Sequence, residues 1–318
     1  MSGAARASWA GIGAILLWAF LGLLAKLGQG IPPLQMTAAG MAVGGGLGLV
    51  LVVARGRVAA LRASPLAWAH GVGGLFGYHA LYFAALALAP AVEANLVNYL
   101  WPLLIVLLSA PVLGLRLGTR HLLGAGLGLA GCALLVGGGA RFAPEAAGGL
   151  LCALAGALVW AGYSVTAKRL SAVPTEAVAG FCLASAALAL LLHLVFERTV
   201  WPDARQALAL LLLGLGPVGA AFYLWDIGMK RGDPRLLGTL AYGIPVASTL
   251  LLVAAGHGQA DARVALAALL VTAGGALAAR RGGTPPQTPG SLRQEDTPHD
   301  RIPAPAAQRH RPLPGGGA

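Results

Sequence analysis

The chain has 318 residues, of which 57% are hydrophobic and only 10% are charged, whereas soluble domains carry roughly 25% charged residues. This deficit excludes an ordinary soluble enzyme or binding module, and the long apolar blocks exclude a membrane β-barrel, whose strands alternate. The net charge of +11 comes from basic residues at the ends of apolar blocks, as in membrane proteins, so we expect no nucleic-acid partner.

Ten apolar blocks follow one another, each close to the roughly 20 residues that a helix needs to cross a bilayer. They predict an all-α polytopic membrane protein with a short cytoplasmic N-terminus at residues 1–8. The tail, residues 282–318, holds eight prolines and six glycines and is predicted to be disordered. The predicted spans are 9–28, 35–54, 66–88, 92–113, 121–139, 148–168, 175–196, 207–230, 235–256 and 262–279.

Lys and Arg in the loops predict the orientation. If the N-terminus is cytoplasmic, the inside segments hold 13 basic residues and the outside segments hold 5. Basic residues concentrate on the cytoplasmic side of bacterial membrane proteins. We therefore predict a multi-pass protein of the bacterial inner (cell) membrane with both termini in the cytoplasm.

The two sets of five predicted helices, residues 9–139 and 148–281, resemble each other. Because five is odd, the second half enters the membrane from the opposite side, as in the inverted repeats of secondary transporters. Two matches lie 142 positions apart, Trp18 with Trp160 and Lys26 with Lys168. Two more appear when the alignment is shifted by one residue, Tyr99 with Tyr242 and Pro102 with Pro245.

These features resemble the EamA-type branch of the drug/metabolite transporter superfamily. The resemblance rests on ten helices in two inverted halves, on Trp-x7-Lys near the start of each half, and on the segment Asn98-Tyr99-Leu100-Trp101-Pro102-Leu103. It covers residues 9–281, and implies a ten-helix exporter of amino acids or related metabolites that uses no cofactor.

Polar and aromatic side chains at mid-depth are the candidate binding residues. Lipid offers no hydrogen-bond partners, so such side chains are expected to face protein or a water-filled cavity. The alternative for each is core packing, or for the tryptophans a lipid-facing position. We predict that the first, third, fourth, sixth, eighth and ninth helices enclose the cavity. The predicted substrate-binding residues are Trp18, Tyr78, His79, Tyr82, Asn98, Tyr99, Trp101, Trp160, Tyr163 and Tyr242.

Other motifs receive simpler interpretations. Residues 126–131 match a dinucleotide-binding pattern but lie inside an apolar span, where glycines serve helix packing. Asp226 and Lys230 are four apart and predict an ion pair on one helix, and Lys26 and Lys168 are expected to reach the membrane interface from helix ends. No catalytic or metal-binding constellation occurs, so we predict neither an enzyme nor a cofactor or metal site.

The leading hypothesis is a monomeric transporter that exports neutral and aromatic or apolar amino acids, or related small metabolites, by alternating access around a midplane cavity. Its partners are then a small-molecule substrate and the lipid bilayer. The runner-up is a multidrug exporter of lipophilic or cationic compounds, held by cation–π contacts. A nucleotide-sugar carrier and a structural membrane protein fit less well. We also predict that transport is not obligatorily proton-coupled. No nearby carboxylate would stabilise a protonated His79, so the histidine is expected to stay neutral.

Overall fold

The computed structural model describes residues 2–137, 143–256 and 261–280, and no β-strand occurs among them. These residues form ten helices long and apolar enough to cross a bilayer, which confirms the predicted all-α polytopic fold. The predicted disordered tail, 282–318, and the predicted end of the fifth span, 138–139, lie outside the described residues. The helices are α1 (Gly3–Leu27), α2 (Pro33–Ala54), α3 (Pro65–Leu88), α4 (Ala91–Leu113), α5 (Thr119–Val136), α6 (Pro144–Leu170), α7 (Thr175–Phe196), α8 (Ala204–Arg231), α9 (Pro234–Ala254) and α10 (Ala262–Ala279).

The first helix begins earlier than its apolar block. Its N-cap is Ser2, whose hydroxyl oxygen accepts a hydrogen bond from the backbone N–H of Ala5 at 3.3 Å. Such a cap allows helix to form ahead of the apolar stretch. The helix therefore starts at Gly3, within the segment predicted as a short cytoplasmic N-terminus, six residues ahead of the predicted first span.

Prolines interrupt three of the helices near their middles. Pro102 and Pro245 have no N–H to donate to the carbonyl four residues earlier, and α4 and α9 are broken at Tyr99–Leu100 and at Tyr242. In α8, Pro217 lies in a π-helical turn, Gly216–Ala220. These breaks place irregular backbone at mid-membrane, which is tolerated only where it is buried in protein or lines a cavity.

The closest helix pairs join the two halves of the chain. Helix α1 packs on α8 and α3 on α6, while α2 packs on α7, α5 on α10 and α4 on α9. At the crossing of α2 with α8, a Cβ on Gly44 would lie 2.5 Å from Gly219 Cα, so only glycine allows this approach. The core is thus built between the halves.

Hydrogen bonds between helix ends and loops define two faces of the bundle. On the N-terminal face, the backbone N–H of Asp233 donates to Ser8 Oγ at 3.2 Å. On the opposite face, Gln206 Nε2 donates to the carbonyl of Gln29 at 2.9 Å. An even number of spans returns the described end of the chain to the N-terminal face.

Candidate functional site

A cavity of about 630 Å³ lies in the middle of the bundle, within the roughly 300–1,000 Å³ typical of small-molecule sites. It runs from Trp18 and Trp160 near mid-membrane to Ala25, Ile31 and Asn95 near the opposite face. Among the described residues that line it there is no Asp, Glu, Lys or Arg. The cavity therefore suits a solute without net charge.

Four tryptophans close the cavity toward the N-terminal face. The Trp18 ring lies 5.7 Å from that of Trp160 and 6.4 Å from that of Trp101, and Trp225 packs beneath at 5.0 Å from Trp18. The Trp18 indole N–H donates to the Pro217 carbonyl at 2.9 Å. Most of these contacts are edge-to-face, the geometry that the ring quadrupole favours. The cluster forms a dense aromatic floor.

Helix α3 supplies one wall of the cavity. Tyr78, His79, Tyr82 and Phe83 recur at helical spacing and line the cavity together, as one face of a 3.6-residue helix requires. The Tyr78 and Tyr82 rings stack at 6.0 Å, and the Tyr78 ring lies 5.1 Å from that of Trp160. This wall is flat, aromatic and continuous with the floor.

The broken helix α4 adds amide groups to that wall. Tyr82 OH donates to Asn95 Oδ1 at 2.6 Å, and Asn98 Nδ2 donates to Tyr78 OH at 3.2 Å. Asn98 is only 4% exposed, and within the described residues its Oδ1 has no hydrogen-bond partner. A buried acceptor left unpaired costs free energy, so Asn98 Oδ1 is an unused hydrogen-bond acceptor on a residue that lines the cavity.

His79 offers a second acceptor. Its Nδ1 lies 2.7 Å from the Leu75 carbonyl, an arrangement in which Nδ1 carries the proton and donates. In the neutral ring, Nε2 is then an acceptor. The ring packs between Tyr78 and Phe222, at 5.2 and 6.2 Å.

The structure brings eight of the ten predicted site residues to this one cavity. They are Trp18, Tyr78, His79, Tyr82, Asn98, Tyr99, Trp101 and Trp160. For Trp18, Trp101 and Trp160 the alternatives to cavity lining were core packing and a lipid-facing position, and all three both line the cavity and pack in the core.

Tyr163 and Tyr242 do not line the cavity. Tyr163 packs over Gly74, where an added Cβ would lie 2.3 Å from its ring. Tyr242 is fully buried, and its hydroxyl accepts the backbone N–H of Leu103 at 3.2 Å, an N–H in the first turn of the helix segment that begins at Trp101. In this structure their aromatic rings serve packing and helix capping.

Several lining residues were missed by the sequence analysis. Phe222, Met36 and Thr37 line the cavity, as do Ser248 and Thr249. All six helices predicted to enclose the cavity contribute to it, but α2 and α5 also contribute near the mouth. Ser, Thr and Met are common in membrane helices, so only the proline breaks nearby in α8 and α9 offered a signal.

Beneath the aromatic floor, an ion pair crosslinks the N-terminal face. Lys230 Nζ lies 2.9 Å from Asp226 Oδ2, which confirms the predicted pair. Thr175 Oγ1 donates to the same carboxylate oxygen at 2.6 Å, and Lys230 donates to the Val173 carbonyl at 2.8 Å. Both charged side chains are buried, so α8 is fastened to the start of α7 through groups that have no access to bulk water.

Further polar contacts close the same face. Lys168 Nζ donates to the Gly232 carbonyl at 2.8 Å, whereas Lys26 is exposed. Asp233, outside the spans, lies 2.9 Å from Arg235. Burial raises the pKa of the Asp233 carboxyl, but the hydrogen bonds and charge of Arg235 outweigh burial and lower it overall. This stabilisation is present above the ordinary aspartate pKa and is lost as pH falls through the lowered value.

One buried acid was passed over in the sequence. Glu93 lies in the first turn of α4 and is 4% exposed. A carboxylate is favourable beside the unpaired N–H groups of a helix N-terminus. Glu93 does not line the cavity.

The sequence profile of the EamA-like transporter family matches residues 5–137 and again residues 147–280. The chain belongs to this family. It is therefore a membrane transporter and not an enzyme, as predicted, and the EamA-type resemblance is confirmed. The profile matches once in each half of this EamA-like transporter, with five of the helices in each match.

Two curated relatives carry the same name. This EamA-like transporter is 53% identical over 272 residues to the aromatic amino acid exporter YddG of Ancylobacter novellus, covering 84% of this chain and 95% of that protein. It is 25% identical over 260 residues to the aromatic amino acid exporter YddG of Salmonella typhimurium, covering 77% and 87%. A crystal structure of a protein with 52% identity superposes with a TM-score of 0.84, covering 87% of this chain and 98% of that one.

Proposed function

We propose that this EamA-like transporter exports neutral and aromatic or apolar amino acids, or related small metabolites, across the bacterial inner membrane. The observation that carries the proposal is the uncharged aromatic cavity at mid-membrane. A zwitterionic amino acid has no net charge, so it matches a cavity without charged side chains. The shared name of the two curated relatives supports aromatic amino acids as the first solutes to test.

Each part of such a solute has a matching group in the cavity. An aromatic side chain can lie against Trp18, Trp160 and Phe222, with the offset or edge-on contacts that rings prefer. The solute's ammonium group can donate to His79 Nε2, and to Asn98 Oδ1 once the solute displaces the packing around that buried oxygen. These contacts make binding energy depend on both ends of the solute, which is how a mostly apolar site acquires specificity.

The export mechanism that we propose is alternating access. The double profile match and the pairing of α1 with α8 and α3 with α6 are those expected of two inverted five-helix repeats, residues 9–139 and 148–281. Under exchange of the halves these two contacts become each other, so rocking one set open would close the other. The positive-inside rule places the N-terminal face in the cytoplasm, so the cavity is interpreted as open to the outside.

Other solute classes are less well supported. A multidrug exporter of cations would use cation–π contacts with these rings, but no described residue that lines the cavity is a carboxylate that could offset the charge. A phosphorylated solute would need Arg or Lys at the same depth, and the described lining has neither. The aromatic floor alone does not distinguish a neutral solute from a lipophilic cation, so both belong in the test.

Counterflow in proteoliposomes tests this proposal. Vesicles loaded with unlabelled phenylalanine should take up labelled phenylalanine faster than protein-free vesicles, and phenylalanine, tyrosine and leucine inside should all support exchange. Loading with arginine, glutamate or a lipophilic quaternary ammonium compound should support little exchange. Exchange driven by the quaternary ammonium compound and not by phenylalanine would replace the amino acid assignment with the multidrug one.

A further inference from the structure

A second recess, separate from the cavity, lies between the N-terminal-face halves of α2 and α8. Its volume is about 700 Å³, and it shares no lining residue with the cavity. The two helices touch at Gly44 and Gly219 and form a groove beyond that crossing. Tyr223 forms its back, because its hydroxyl donates to the Gly44 carbonyl at 3.2 Å.

The two walls of the groove follow the same pattern. On α2 the lining residues recur every three or four positions and end in Arg, and on α8 they do the same. The α2 residues are Gly44, Leu47, Gly48, Leu51, Val52 and Arg55, and the α8 residues beyond the crossing at Gly219 are Ala220, Tyr223, Leu224, Ile227 and Arg231. Each wall is thus apolar near mid-membrane and basic at the N-terminal face.

The length of the groove matches one leaflet of a bilayer. Eleven residues separate Gly44 from Arg55 and Ala220 from Arg231, which corresponds to roughly 16 Å of helix. The hydrocarbon core of a bilayer is about 30 Å thick. The apolar part therefore covers about the depth of one set of acyl chains, and the arginines lie where headgroups begin.

The charge at this end of the groove is not neutralised. Arg57 and Glu176 also line the groove, on the side of the connection between α6 and α7, and their charges offset each other in an ion pair. Across the part of the chain that the structure describes, neither the Arg55 nor the Arg231 guanidinium has an ion-pair or hydrogen-bond partner. Both are exposed, as are Leu47 and Leu51 below them. An exposed apolar trough under two free guanidinium groups has the complementary chemistry of an anionic lipid.

We propose that this groove is a binding site for an anionic phospholipid of the leaflet on the N-terminal face. The phosphate lies between Arg55 and Arg231, which can each donate two parallel hydrogen bonds to it. One acyl chain lies in the trough against Leu51, Leu224 and Ile227. Basic recesses between membrane helices recognise acidic headgroups in this way. The assignment does not depend on the transported solute.

Lipid retention by the purified full-length protein tests this site. The protein in neutral detergent is titrated with dioleoylphosphatidylglycerol, dioleoylphosphatidylcholine or inorganic phosphate, and bound lipid is counted by native mass spectrometry. We expect one phosphatidylglycerol to be retained in preference to phosphatidylcholine. Each basic residue near an anionic lipid contributes about fivefold in affinity, so Arg55→Gln with Arg231→Gln should weaken phosphatidylglycerol binding roughly 25-fold.

Two controls separate the groove from general surface charge. Arg6→Gln with Arg62→Gln removes the same charge from exposed positions on the same face that do not line the groove, and should leave binding unchanged. Leu47→Trp keeps both arginines but fills the trough, and should also weaken lipid binding. Equal retention of both lipids, an equal loss in the two double variants, or a groove that binds inorganic phosphate as well as lipid would each overturn the proposal.

Discussion

At the scale of single residues, most groups that line the cavity have packing or hydrogen-bond partners, and one buried oxygen has none. The aromatic rings pack against one another, and Tyr82 OH donates a hydrogen bond to Asn95. Asn98 Oδ1 is buried without a partner among the described residues, and only Ser185 Oγ shares that condition there. Such an atom lowers stability unless something binds it, and of the two residues only Asn98 lines the cavity.

Asn98→Leu should therefore impair solute binding. A hydrogen bond to a charged group contributes about 1.5–3 kcal/mol, so losing the acceptor for a solute ammonium should raise the half-saturating concentration about tenfold or more. Counterflow over a range of phenylalanine concentrations measures this change. Ser185→Ala removes the other unpaired buried oxygen and should leave transport unchanged, and equal effects of the two variants would contradict a role for Asn98 in binding.

His79→Gln tests whether the cavity couples transport to protons. The Leu75 carbonyl accepts from Nδ1, and no described carboxylate lines the cavity to stabilise a charged ring. We expect solute to be exchanged equally with and without a pH gradient, in the wild type and in the variant, because glutamine keeps a hydrogen-bonding group at this position. His79 is a proton-coupling residue if the wild type accumulates solute under a pH gradient, while the variant binds solute normally but does not accumulate it.

At the scale of helices, the crossings between the halves depend on small residues. An added Cβ on Gly44 would meet backbone atoms of Gly219 and Gly214 at 2.5 and 2.8 Å, which cannot move away as a side chain can. Gly44→Ala should therefore lower the free energy of unfolding by about 1–3 kcal/mol. Thermal unfolding in detergent measures the change.

Gly46 is the matched control for this crossing. It lies two residues away on α2, and an added Cβ there meets nothing within 4 Å. Gly46→Ala should be neutral, or stabilising by up to about 1 kcal/mol, because alanine is the better helix former. If both alanine variants unfold at the same temperature, close backbone packing does not hold α2 on α8.

The buried ion pair in α8 provides another element-scale test. Asp226→Asn leaves Lys230 buried without its counter-charge, and breaking such a pair costs about 3–5 kcal/mol. Replacing both residues, with Lys230→Met added, should recover most of that loss because no charge remains buried. Urea or thermal unfolding of the single and double variants checks this. A double variant no more stable than the single one would contradict the claim that the unpaired Lys230 charge causes the loss.

The number and positions of the helices could be predicted from the sequence more accurately than their breaks and ends. Apolar block length and loop charge predicted ten spans, since a bilayer imposes both. The proline breaks in α4 and α9 could have been predicted from Pro102 and Pro245, because proline removes a helical hydrogen bond wherever it lies. The start of α1 at Gly3 could not have been predicted. It depends on a local hydrogen bond to Ser2, which many serines do not make.

The site was less predictable because lining a cavity depends on the rotation of each helix. Residue type and depth found Trp18, Tyr78 and Asn98, since polar or aromatic groups at mid-membrane avoid lipid. The same argument included Tyr163 and Tyr242, which do not line the cavity and instead pack on glycine or accept a backbone N–H. Only tertiary structure distinguishes these outcomes.

At the scale of the whole molecule, the described lining of the cavity is closed by aromatic rings on one side and extends toward the opposite face. The four-tryptophan floor and the ion pair between Asp226 and Lys230 lie on the N-terminal side of the cavity. Ser248, in the second segment of α9, lines the cavity between the floor and the mouth. The central claim is that an amino acid occupies this cavity and that its open face is the one opposite the termini.

The most direct test is the reactivity of Ser248→Cys in a protein whose native Cys132, Cys152 and Cys182 are replaced by alanine. We predict that a membrane-impermeant maleimide labels this thiol from outside intact cells and that saturating phenylalanine slows the labelling. Labelling only from the cytoplasmic side of inverted vesicles, or a rate that phenylalanine does not change, would contradict the account.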